Sequence, residues 1–209
     1  MQVDKVLMIL HNATPIVETE LVYKSPYTLL IAVILSARCK DVVVNKVTPV
    51  LFKDGDTPEH IYSLGIIEIE KRINKIGLYR SKARYINELS KILIEKFNSN
   101  VPNNRKDLES LPGVGRKSAN VILNILYGEP TIAVDTHVFR VSNRLGISHA
   151  KTPREVEIVL NEITPNEIKK TIHSTMVMHG RYICRSRLPL CDKCPVSEFC
   201  AYFSNLTVI

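Results

Sequence analysis

Leu111-Pro112-Gly113-Val114-Gly115-Arg116-Lys117-Ser118-Ala119-Asn120 is the stretch on which the fold turns. A short helical pattern, 106–111, runs into it and a longer one, 116–127, leaves it. Pro112–Gly115 is then a tight hairpin between two helices. Gly113 and Gly115 permit backbone angles and close approaches that other residues resist. Amides at the start of the second helix, together with the helix dipole, make an anion site suited to a nucleic-acid phosphate held without sequence preference. The plainer reading is a helix–helix turn whose glycines serve packing. Lys117 stands in the first turn of the second helix, beside Arg116. The dipole and the neighbouring cation both disfavour an ammonium there, and a neutral lysine is a nucleophile toward electrophilic carbon. A surface lysine touching phosphate as a plain cation explains the same residues.

Eighteen residues beyond Lys117, Val134-Asp135-Thr136-His137 opens another helix. Asp135 is most simply its N-cap. Its apolar approach, Thr131-Ile132-Ala133-Val134, half-buries it, so an ionised carboxylate there can also stabilise developing positive charge or accept a proton from an amine. His137 fits a structural role or a phosphate contact equally.

Working outward, the chain has 209 residues, 45% apolar and 23% charged, the values of a globular protein with room for one large domain or two modest lobes. Trp is absent and aromatics reach 6%, which argues against a β-sandwich or an aromatic stacking platform. The formal charge of +7 suggests a polyanionic partner. Residues 71–84, KRINKIGLYRSKAR, concentrate six Lys or Arg without one acid. A solvated helix face would look the same. Val6–Leu10 is too short, and too closely preceded by Asp4, for a signal peptide. Leu29–Leu35 falls well short of the roughly 20 residues of a membrane span. A cytosolic location with reduced thiols is expected.

The chain reads as all-α. Ser/Thr-Pro pairs at Thr14-Pro15, Ser25-Pro26, Thr57-Pro58, Thr152-Pro153 and Thr164-Pro165 precede helical patterns, as an N-cap hydroxyl followed by proline should. Thr152 with Glu155 and Thr164 with Glu167 spell capping boxes. Apolar periodicity, as in Ile86, Leu89, Ile92, Leu93 and Phe97, predicts helices over 2–11, 15–22, 26–37, 42–52, 58–63, 66–75, 82–97, 106–111, 116–127, 136–145, 153–163 and 165–182. Pro49 conflicts with an unbroken helix over 42–52. No period-2 strand and no repeat is evident. The break at Gly128-Glu129-Pro130 starts a second lobe near residue 130, and a cleft between the lobes would be a usual place for a site.

Cys184, Cys191, Cys194 and Cys200 follow a C-x6-C-x2-C-x5-C pattern. Four closely spaced thiols in a reducing compartment mean a metal site more readily than disulfides, and tetrahedral sulfur suits zinc or an iron–sulfur cluster. Arg181, Arg185, Arg187 and Lys193 stand nearby in sequence as compensating cations. Cys39 lies outside the array and reads as a structural thiol.

LPGVGRKSANVILN (111–124) followed by TIAVDTHVFRVSNRLG (131–146) resembles the helix-hairpin-helix DNA glycosylase superfamily, in the branch with a C-terminal cluster loop. The likeness extends through SPYTLLIAVILSARCKDVVVNK (25–46), IGLYRSKA (76–83) and HGRYICRSRLPLC (179–191). It implies a two-lobed all-α fold: a six-helix lobe over 20–129 containing the helix-hairpin-helix at about 106–127, and a second lobe of 1–19 with 130–209 that carries a cluster loop at 184–200. It implies that Lys117 attacks deoxyribose C1′, that Asp135 activates it, and that the four cysteines hold a [4Fe-4S] cluster with a structural role. Lysine at position 117 implies a bifunctional DNA glycosylase and AP lyase, because members with other residues there are monofunctional. The expected partner is double-stranded DNA bearing oxidised pyrimidines or abasic sites. The enzyme would act as a monomer, nucleoid-associated in a bacterial cytoplasm. Gly113, Gly115, Arg116 and His137 would contact DNA. Leu78 would wedge into the gap that an extruded base leaves. Arg38 stands where the family commonly has Gln, which leaves the choice of opposite base open. A non-catalytic DNA-binding module and an iron–sulfur electron carrier are the rival classes. Strand cleavage on abasic DNA, and redox activity without DNA, separate them.

Overall fold

The computed structural model describes residues 3–14 and 19–207, and among them all regular structure is helical. The chain divides into two compact units, one gathering Thr19–Tyr127 and the other the described residues on either side of it.

The Thr19–Tyr127 unit is built around α2 (Pro26–Ser36), whose residues Tyr27–Leu35 are all buried. A helix apolar on every side belongs at the centre of a bundle. Around it lie α3 (Asp41–Leu51), α4 (Pro58–Arg72), α5 (Tyr79–Phe97), α6 (Arg105–Ser110) and α7 (Arg116–Tyr127). Their inward faces join α2 in one core that includes Leu51, Ile69, Ile86, Leu89, Leu108 and Ile122. Ser25 and Thr57 cap α2 and α4 as their sequence pairs predict.

Several expected boundaries move for physical reasons. Gly65, at φ 72° and ψ 163°, breaks α4 into the two segments the pattern suggests. α3 runs through Pro49 to Leu51, so the helix forms although proline removes one bond of its ladder. Of the helix expected over 15–22, residues 15–18 lie outside the described region. Thr19–Val22 are not helical, because Asn45 of α3 claims their backbone instead. Its side chain donates to Glu20 O at 2.8 Å and accepts from Val22 N at 2.9 Å. α5 begins at Tyr79, three residues earlier than its periodicity suggests, with Leu78 as its N-cap.

The second unit contains α1 (Val3–Ala13), α8 (Thr136–Leu145), α9 (Pro153–Ile163), α10 (Asn166–Lys169), α11 (Ile172–Tyr182) and α12 (Ala201–Thr207). Leu7, Leu10, Val138, Val141, Leu160 and Met176 fill its core. The capping box at Thr152–Glu155 forms. The one expected at Thr164–Glu167 does not. Thr164 is the C-cap of α9, its hydroxyl is buried without a partner, and the span expected as one helix over 165–182 breaks at Lys170–Thr171. α12 has no counterpart among the sequence expectations.

Candidate functional site

The hairpin joins α6 to α7 through Leu111–Gly115. Leu111 N and Val114 N donate to Leu108 O and Leu111 O, each at 3.1 Å, so the turn is closed by its own backbone. Its two glycines differ in purpose. Gly113 has φ 81°, and a Cβ there would press on the Tyr85 ring at 3.1 Å, so both conformation and packing demand glycine. Gly115 has neither constraint: a Cβ there would meet nothing within 4 Å. What its bareness leaves is an open approach to the first turn of α7. The first intrahelical bond is Ala119 N to Gly115 O at 2.9 Å, so the amides of Lys117 and Ser118 precede the helical ladder. Lys117 is exposed in that turn. Below it, Asn120 is buried and receives the Arg105 guanidinium, tying α6 to α7 under the hairpin.

Arg38 and Leu78 are among the exposed residues of the same unit that hold a left-handed backbone without being glycine. Arg38 has φ 55° and Leu78 has φ 61°. The Leu78 side chain is 61% exposed. A left-handed non-glycine residue costs about 1–2 kcal/mol, so both tips are held by their surroundings. The basic run 71–84 is not uniformly at the surface. Arg72 turns inward to Glu68 and Asp54 at 3.0 and 2.8 Å, and Lys82 is buried. These two cations are therefore structural, contrary to a solvated face.

Asp135 is the N-cap of α8. One carboxylate oxygen accepts from His137 N and Val138 N at 2.8 and 2.9 Å, and the other lies 3.0 Å from His137 Nδ1. Its side chain is 16% exposed. His137 thus rests on Asp135 itself. Gly180 of α11 makes room for it, since a Cβ at 180 would lie 2.8 Å from the His137 Cβ.

The four cysteines 184, 191, 194 and 200 line one pocket, with the apolar side chains of Leu145 and Ile183 in its wall. Two 3-10 turns, Cys191–Lys193 and Ser197–Phe199, curl the loop so that Cys194 N donates to Cys191 O and Cys200 N to Ser197 O, both at 3.0 Å. Burial first, then the neighbouring thiols, pushes the Cys194 thiol up to about 11, and the same causes raise Cys191. Among the described residues, no three His, Cys, Asp or Glu side chains are grouped around a point that one metal ion would occupy. Four thiols lining one pocket are a donor set for a tetrahedral ion or for a cubane, which takes one thiolate at each of four irons. The donor set and pocket fit such a group.

Of the cations nearest in sequence, Arg181 is half-buried and Arg185, Arg187 and Lys193 are exposed. Arg144 of α8 also reaches this loop: it donates to Arg185 O at 2.6 Å and Ser186 O at 3.0 Å, lies 3.6 Å from Cys184 Sγ, and stacks on Tyr202 at 4.5 Å. Arg140, one turn earlier, donates to Cys184 O and Gly180 O at 3.1 and 2.9 Å. Their i,i+4 spacing on a helix was the available signal, but the partners lie 40 and more residues away.

Residues 31–166 match the family described as HhH-GPD superfamily base excision DNA repair protein. The chain belongs to that family. It is 50% identical over 204 residues to endonuclease III of Rickettsia conorii, covering 98% of this chain and 97% of that one. It is 46% identical over 204 residues to endonuclease III of Escherichia coli, with coverage of 98% and 97%. Among solved structures it resembles a trapped endonuclease III–DNA covalent intermediate, an estranged-adenine complex. That match has a TM-score of 0.94 and 43% identity, and covers 99% of this chain and 97% of that one.

Proposed function

We infer that the protein is a bifunctional DNA glycosylase and AP lyase of base excision repair that removes oxidised pyrimidines of the thymine glycol type from duplex DNA. The observation that carries this reading is Lys117, an exposed amine in the first turn of α7 behind a glycine whose missing side chain leaves the approach open. The likeness to an endonuclease III trapped covalently on DNA supports it.

In this reading the hairpin amides around Gly113 and Gly115, with Arg116 and the outer edge of His137, grip the backbone without reading bases. Leu78 and Arg38 fill the gap that the extruded nucleotide leaves. The Lys117 amine bonds to C1′ as the bond from C1′ to the base breaks, and the base leaves with a proton. The sugar ring opens to a Schiff base between Nζ and C1′. Loss of a proton from C2′ then expels the 3′ phosphate, cutting the strand by β-elimination. Asp135 takes a proton from the amine and stabilises the positive charge that develops at the sugar. Its amide partners fix the carboxylate in place while it caps α8.

Cys184, Cys191, Cys194 and Cys200 are assigned to a [4Fe-4S] cluster, which would cross-link a loop that has little core of its own. An amine and a carboxylate suffice at C1′, so the role given to the cluster is structural. No helix among the described residues is long and apolar enough to cross a membrane, and we place the enzyme in a bacterial cytoplasm, acting as a monomer on the nucleoid.

A single-turnover assay on duplex DNA with one thymine glycol tests the reading. Base release and a strand break 3′ to the lesion should appear together without added cofactor. Binding without either product would reduce the protein to a DNA-binding module.

A further inference from the structure

Lys82 belongs by sequence to the basic run 71–84, yet it is 4% exposed. It occupies the same stripe of α5 as Ile86, Leu89 and Leu93, which face the core. Its ammonium donates to Leu35 O at 2.8 Å and to Ala37 O at 2.7 Å, the last carbonyls of α2. The negative end of a helix dipole welcomes a cation there. Its backbone amide donates to Leu78 O at 3.1 Å. One residue therefore holds the chain immediately before Arg38 and the chain at Leu78.

The two segments also touch directly, since a Cβ at Gly77 would lie 3.9 Å from Arg38 O. Arg38 and Leu78 are both exposed, and both carry positive φ, at 55° and 61°. Burial disfavours the Lys82 ammonium and lowers its pKa, opposed in part by Cys39. An aliphatic side chain would fill the stripe without that penalty. What an aliphatic residue could not do is bond the two carbonyls at the end of α2 to the helix that begins at the Leu78 tip.

We propose that Lys82 is a positioning residue that locks the Arg38 and Leu78 tips at one spacing, so that the two side chains enter damaged DNA as a single two-pronged wedge. The proposal rests on the assignment of Arg38 and Leu78 as gap fillers. It makes the prongs interdependent: with the clamp gone, each tip relaxes from its left-handed conformation and the pair no longer matches the gap.

The test uses the full chain and a duplex carrying a tetrahydrofuran abasic analogue, with 2-aminopurine opposite it to report unstacking by stopped-flow fluorescence. Lys82→Met removes the ammonium and keeps the stem, and Lys82→Gln keeps two N–H donors without the charge. Borohydride trapping on a single-stranded abasic oligonucleotide, which has no gap to fill, reports whether Lys117 chemistry and the fold are intact. Lys82→Met should slow the fluorescence rise about 10- to 100-fold, the scale of an ångström-sized misplacement, with trapping near wild type. Lys82→Gln should fall between. If Lys82→Met loses trapping as well, Lys82→Gln decides: a slowed rise with intact trapping supports the clamp, and a wild-type rise overturns it. A wild-type rise in Lys82→Met, with the rise lost in Leu78→Gly or Arg38→Ala, overturns the clamp and leaves the wedge standing. A wild-type rise in both Leu78→Gly and Arg38→Ala removes the wedge, and the clamp with it.

Discussion

At the residue scale, Asp135 carries two duties that substitution can separate. Asn accepts the same two amide hydrogens but bears no charge. Asp135→Asn should therefore leave the melting temperature nearly unchanged while base excision slows by orders of magnitude in a single-turnover assay. Asp135→Ala should lose in addition about 0.5–2 kcal/mol of stability with the cap. An Asn variant that excises at the wild-type rate would leave Asp135 as a cap and no more. Leu78 makes the opposite trade. Glycine relieves about 1–2 kcal/mol of left-handed strain, against about 0.5–1 kcal/mol of added backbone entropy. Leu78→Gly should thus melt no lower than wild type while excision from duplex DNA falls. A matched loss of stability and rate would mean that Leu78 serves the fold. Asp135 was legible in the sequence because its partners, His137 N and Val138 N, are within three residues. Lys82 was not. Its acceptors are 47 and 45 residues away, and its charge hid it in a basic run. Only its place on the Ile86–Leu89–Leu93 stripe marked it as inward.

At the element scale, α5 and α8 each organise a group of functional side chains. α5 starts at the Leu78 tip, clamps the end of α2 with Lys82, and supports Gly113 of the hairpin with Tyr85. α8 starts at Asp135 and reaches the cysteine loop with Arg140 and Arg144. Gly180 of α11 packs directly against α8. Replacing a mid-helix glycine by alanine normally gains up to about 1 kcal/mol of helix propensity. Here the new Cβ would lie 2.8 Å from the His137 Cβ, an atom fixed to the backbone that cannot swing aside. Overpacking of this kind costs about 1–3 kcal/mol, so Gly180→Ala should lower stability in thermal unfolding, and it should disturb the His137–Asp135 contact as well. A stabilised Gly180→Ala protein would contradict this packing. Helix positions were largely readable from capping pairs and apolar period. The failures came where tertiary bonds overrode local signals, as when Asn45 took the backbone of Glu20 and Val22, and where Thr164 turned out to end one helix without capping the next.

At the scale of the whole molecule, two units each fold around their own core, and the second is made from both flanks of the chain. Both draw on carboxylates whose pKa lies below the ordinary 4.5. Glu68 is held down by the Arg72 hydrogen bond, Glu59 by Ser99, and Glu155 by the amides of Lys151 and Thr152. A depressed carboxyl contributes stability that is present above its unfolded value and lost as pH falls through its folded one. Burial also lowers the His179 imidazole from 6.5 to about 4, so stability should begin to decline as pH drops below about 6.5 and fall further below about 4.5, a trend that pH-dependent thermal melts would check. The all-helical class, the hairpin and the four-thiol array were visible from residue type and spacing alone. The arginines that hold the thiol loop were not, because they come from another helix. The central claim is that the Lys117 amine bonds covalently to deoxyribose, and borohydride trapping tests it most directly. Wild-type protein incubated with abasic or thymine glycol duplex and borohydride should give a stable protein–DNA adduct, and Lys117→Gln should bind the same DNA and give none. An adduct that persists in Lys117→Gln, or no adduct from the wild type, would contradict the account.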